Sequence, residues 1–137
     1  MHFEYELRDM DVGTLIVPHL ALATGYWSRL IGLQFRRELG TTEGLLLSPC
    51  QSIHTCFLRF ALEVAFLDKS GRIIGVVPEL KPWRMAFAPR GTFAVLEIAS
   101  GRSLFRRGHL LSLGSSSNRR GTPFPMSLAG MTANHLQ

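Results

Sequence analysis

Residues 59–77 read Arg59-Phe60-Ala61-Leu62-Glu63-Val64-Ala65-Phe66-Leu67-Asp68-Lys69-Ser70-Gly71-Arg72-Ile73-Ile74-Gly75-Val76-Val77. Phe60, Leu62, Val64 and Phe66 recur at every second position, the period of a strand with one buried face. Asp68 to Gly71 supplies turn residues, and Arg72 to Val77 returns as a second β-branched run. The stretch is therefore a hairpin, and it sets the expectation of a mainly antiparallel β-domain.

Working outward, the same alternation opens the chain. Phe3, Tyr5 and Leu7 face one way and Glu4, Glu6 and Arg8 the other, followed by a turn over Asp9 to Gly13 and a strand over Thr14 to Leu20. From Thr24 the period changes: Trp27, Leu30, Ile31 and Phe35 recur at helical spacing behind a Thr24 N-cap, which predicts one helix over about 24–36. Gly44 to Ser48 reads as a short buried strand. Pro49 to Phe57 has no period, and Pro78, Pro82 and Pro89 mark a loop-like segment. Phe93 to Ile98 reads as a strand, Gly101 to Arg107 as a short helix or loop, and Leu110 to Leu113 as a closing strand. The expected fold is α+β but mainly β: a small antiparallel barrel or curled sheet with one packed helix. It forms a single domain over 1–114. A serine-, arginine- and proline-containing stretch over 115–137 reads as a flexible tail.

Bulk properties narrow the function. With 137 residues and 46% apolar composition, the chain can build one core and is too short for two ordinary domains. Thirteen of its fifteen basic residues are Arg, yet the net charge is only +5, small for a dedicated nucleic-acid binder. Arg106-Arg107 and Arg119-Arg120 lack interleaved aromatics and read as solvated termini rather than phosphate contacts. The N-terminus carries Glu4 and Glu6 where a secretory signal would be basic, and the apolar run Leu15–Ala23 is broken by Pro18 and His19. A membrane helix needs about 20 apolar residues. The expected setting is the cytoplasm, without a membrane partner, and Cys50 and Cys56 are expected as reduced thiols.

Six pieces in order carry a family resemblance: Gly32 to Arg36, Gly44 to Cys50, Ser52 to Thr55, Arg59 to Asp68, Leu80 to Arg84 and Val95 to Ile98. On these the chain, over roughly Gly13 to Gly114, resembles the family catalogued as domain of unknown function 192. It departs from the family pattern at Ala61-Leu62-Glu63, at Cys56 and at Gly114-Ser115. The resemblance implies a compact β-rich domain with one helix, and it implies no activity.

Candidate chemistry is sparse. Cys50, His54 and Cys56 form C-x3-H-x-C, which offers three zinc ligands but no fourth, so neither a metal nor a cofactor is assigned. Cys50 with His54 could act as a nucleophile and its base, the basis of an alternative hydrolase or transferase reading. In an extended Arg59–Leu67, the charges of Arg59 and Glu63 share the face opposite the apolar one. That face is either a solvated sheet surface or the wall of a shallow pocket for an anionic group. Trp83, behind Pro82, either plugs one end of the core or stacks a ligand ring beside Arg84. Ser52, His54, Arg59, Glu63, Trp83 and Arg84 are the candidate ligand-binding set. The leading expectation is a non-enzymatic domain that binds a small anionic or polar ligand, or a peptide.

Overall fold

A computed structural model of the chain describes residues 2–23, 38–48 and 59–115, together with the backbone of 52–54. Among them are nine strands: β1 (Tyr5–Asp9), β2 (Thr14–Ala23), β3 (Glu43–Leu47), β4 (Ser52–His54), β5 (Leu62–Leu67), β6 (Ile73–Leu80), β7 (Met85–Phe87), β8 (Ala94–Ala99) and β9 (Leu111–Ser115). Seven form one sheet in the order β6-β5-β8-β3-β2-β1-β9, and β4 with β7 forms a separate two-stranded ribbon. The helix expected over about 24–36 falls outside the described residues, and no helix occurs among those described.

The first hairpin folds on Asp9. Its Oδ1 accepts the N–H groups of Asp11 and Val12 at 2.9 and 3.3 Å, and Gly13 closes the turn at φ 78°. β2 continues three residues beyond the expected Leu20, straight through Pro18. The register against β1 slips between the pairs Tyr5–Leu20 and Leu7–Val17, so Pro18 sits at an irregularity where a missing N–H is tolerated. β2 then runs parallel to β3, and residues 24–42 provide more than the dozen or so that a parallel crossover needs. All other pairings in the large sheet are antiparallel.

The second hairpin turns where its sequence indicated. Asp68 Oδ1 accepts the N–H groups of Ser70 and Arg72 at 2.9 and 3.0 Å and the Ser70 hydroxyl at 2.6 Å. These bonds hold the Asp68 carboxyl below its usual range, against a burial that pushes it up. β6 extends to Leu80 and includes Pro78, which an edge strand can accommodate because one side of it needs no donors. The segment 101–107, read as helix or loop, is a loop.

The sheet curls until its two edges touch at one corner. Arg72, at the start of β6, bridges Leu110, before β9. Ile73 N–H donates to His109 O at 2.9 Å, Gly108 N–H to Ile73 O at 2.8 Å and Leu111 N–H to Gly71 O at 3.0 Å. The result is a half-barrel. Inside it lies a cluster that includes Val17, Leu20, Leu46, Leu67, Leu96, Ile98 and Leu111. A second cluster, on the other face of the central strands, gathers Leu45, Leu47, Leu62, Val64, Phe66, Leu80 and Val95, with Ala86 and Ala88 from the ribbon packed against it.

Gly44 marks how tightly the interior is filled. A Cβ there would meet Val17 Cγ1 at 3.0 Å, Ile98 Cγ2 at 3.1 Å and Leu20 Cδ1 at 3.2 Å. Gly44→Ala is expected to lower unfolding free energy by about 1–3 kcal/mol through overpacking. Urea denaturation at constant m-value measures it.

Candidate functional site

The β4–β7 ribbon collects more of the candidate residues than any other element. Its backbone register pairs Ser52 with Phe87, Ile53 with Ala86 and His54 with Met85. Trp83 and Arg84 lead directly into β7. Along this segment large and small side chains alternate: Ala86 and Ala88 pack inward on the second core, while Met85 and Phe87 are 60% and 78% exposed. Trp83, of the same parity, is 58% exposed, so it does not plug the core. Its φ of 61° is a left-handed conformation that costs a residue with a Cβ roughly 1–2 kcal/mol. Strain of this kind persists only where the surroundings enforce it. Arg84 Nη1 donates back to Trp83 O at 3.3 Å. Met85 and Phe87 were missed in the sequence because three prolines made the segment look like loop. The alternation of Trp83, Met85 and Phe87 around small residues was the available signal.

Glu63 does not belong to that surface. It lies on the barrel-interior face of β5, only 2% exposed, and every residue from Leu62 to Leu67 is buried. Its Oε1 accepts the Ser103 N–H at 2.7 Å, and its Oε2 accepts Leu104 and Phe105 N–H at 2.9 and 3.0 Å. The parity expected for Arg59, Ala61, Glu63 and Ala65 is correct from Glu63 onward, but its environment is not. β5 is flanked by β6 and β8 and covered on both faces, so no side looks onto open space. Three backbone donors stand in for water around the carboxylate. They also account for the left-handed φ of 53° at Ser103. Arg59 is exposed in the bend before the strand rather than within it. Cys50 and Cys56 lie outside the described residues, as do the side chains of Ser52 and His54.

Two further groups carry charge chemistry. Asp9, Asp11 and His109 place ligand-type atoms within 4.8 Å of one another. Most of those atoms are already engaged: Asp9 Oδ2 meets His109 Nδ1 at 2.6 Å, Asp9 Oδ1 holds its own turn, and Asp11 Oδ2 accepts the Leu110 N–H at 2.7 Å. The trio clasps the β1–β2 turn to the lead-in of β9, beside the corner where the sheet closes. The second group is Glu97, a single acid in the apolar run Ala94-Val95-Leu96-Glu97-Ile98. It is 5% exposed and sits opposite Leu45 and Val64 on the second-core face. Burial pushes its carboxyl up to about 8.

The family model of DUF192, described only as "Uncharacterized ACR", matches residues 11–107. The chain belongs to this family. Among curated proteins no match emerges. Two crystal structures share the fold. One is a protein of unknown function from Novosphingobium aromaticivorans DSM 12444, at 22% identity and TM-score 0.68, covering 80% of this chain and 83% of that one. The other comes from Sinorhizobium meliloti 1021 and is provisionally described as a transcription regulator, at 18% identity and TM-score 0.72, covering 82% of this chain and 95% of that one. At these identities the likeness is one of fold. Among the described residues no helix is long and apolar enough to cross a membrane.

Glu63→Gln, which keeps one acceptor and loses the charge, is expected to cost about 2–3 kcal/mol of stability by urea denaturation. Glu97 binds a proton in the folded state that an unfolded carboxyl, at 4.5, has already lost. Its contribution therefore weakens stability as pH rises from about 4.5 to about 8, by up to about 1.4 kcal/mol per pH unit. In Glu97→Gln that part of the slope should vanish. Equal slopes for the two proteins would place the carboxyl in a hydrated environment.

Proposed function

We propose that the domain is a non-enzymatic binding module whose working surface is the β4–β7 ribbon. The observation that carries this is the apolar outer face of β7. Met85 and Phe87 project outward although the inward face of the same strand already packs on the core. Contiguous exposed apolar surface rimmed by polar groups marks interaction sites more often than chance. The strained Trp83 beside it and the exposed Arg84 add a ring and a bidentate donor, a combination that suits a ligand with both apolar and anionic parts. Ser52 and His54 lie in β4, the strand paired with β7. Arg59 is exposed in the bend before β5, and Glu63 is left out because its oxygens serve the 103–105 loop.

The description attached to the Sinorhizobium chain raises a nucleic-acid partner. The ribbon's exposed face favours the other reading, because the outward side chains of β7, Met85 and Phe87, are apolar.

A thermal-shift panel of inorganic anions, nucleotides, sugars and short extended peptides tests the proposal. One class should raise the apparent melting temperature of the wild-type chain by mass action. The double variant Trp83→Ala/Phe87→Ser should lose that response while its own stability stays within about 0.5–1 kcal/mol of wild type, both side chains being exposed. A shift that survives in the double variant, or none with any class, would remove the ribbon as the binding surface.

A further inference from the structure

The ribbon has an open side. β7 is paired with β4 along one edge, and among the described residues no strand lies along its other edge. Open edges are usually disabled, and β6 shows how: its outer edge carries Pro78, which has no N–H, and the exposed Glu79. β7 has no such guard. Pro82 and Pro89 bracket it, and residues 83–88 contain neither proline nor acid. On this edge, and resting on the reading of the ribbon as the working surface, we infer that β7 accepts an extended acidic peptide as an added strand.

Backbone pairing would supply affinity, and every second side chain of the guest would lie beside Met85 and Phe87, as strand addition requires. Charge selects the guest. Between residues 79 and 90 the exposed ionic residues are Lys81, Arg84 and Arg90 against Glu79 alone. A second copy of this chain would bring two such positive surfaces together, each on a molecule of net charge +5. An acidic strand meets exposed cations both before and after β7. A nucleic acid would match the cations but leave the backbone donors and acceptors of β7 unpaired.

A random-peptide phage library panned on the full-length chain tests this, with selected peptides then synthesised and measured by fluorescence anisotropy. Selected sequences should be net acidic with alternating apolar residues, and binding should weaken between about 0.05 and 0.5 M salt. Methylating a backbone nitrogen that faces β7 should weaken binding about tenfold, one hydrogen bond's worth. Phe87→Ser should cost a similar factor, and Arg84→Glu should reduce binding. Peptides that need Phe87 but are neutral or basic, or that tolerate methylation throughout, would overturn the acidic-strand inference and leave the ribbon reading intact. Peptides that bind Phe87→Ser and Trp83→Ala as well as wild type would overturn both. Displacement of the peptide by a single-stranded oligonucleotide with higher affinity, or dimerisation of the free chain that Phe87→Ser abolishes, would reassign the edge to those partners.

Discussion

Strands β3, β5 and β8 bury side chains on both faces, and a sheet of that kind needs cover twice. Antiparallel sheets more commonly leave one face wet. Here the seven-stranded sheet supplies the first cover by curling over itself, so that Val17, Leu20, Leu67 and Leu111 meet inside. The second comes from outside, and part of it is the ribbon, which lays Ala86 and Ala88 against the second cluster. The ribbon's position thus follows from a packing demand. Small alanines inward let β7 approach closely, and strand alternation then sends Met85 and Phe87 outward.

Each covered face contains one acid on a central strand, and the two are accommodated by opposite means. Glu63, inside the barrel, keeps company with three converging amide donors from 103–105, and the loop bends through a left-handed serine to deliver them. Glu97, on the outer face, stands opposite two apolar residues and is most stable there with its proton on. Hydrogen bonding to the charged form and desolvation of it are distinct causes with opposite signs. The sequence pattern shows both residues simply as an acid within an apolar run.

That ambiguity explains what could be read in advance. The two hairpins, with their Asp9 and Asp68 turns, were legible because alternation and turn chemistry are local. So were the strands at β3, β8 and β9. Period two says which side chains share a face, but not whether that face meets water, since this depends on neighbours distant in sequence. Glu63 was therefore placed on an open wall when it lies within the barrel. The parallel pairing of β2 with β3 is equally non-local, and the prolines around β7 hid its existence. Of the six candidate residues, the ribbon brings Ser52, His54, Trp83 and Arg84 to one element by register and proximity. Arg59 stands apart in the preceding bend, and Glu63 is committed elsewhere.

β1 is enclosed by β2 on one side and by β9 on the other, with Tyr5 opposite Ser115 and Asp9 opposite Leu111. During synthesis the N-terminal hairpin therefore emerges with an unfilled edge and keeps it until residues 111–115 have been made. Closing a loop of that length is slow compared with forming either hairpin. The nascent chain must protect an exposed β1 until those residues arrive, and truncations that remove β9 would leave that edge permanently available to other strands.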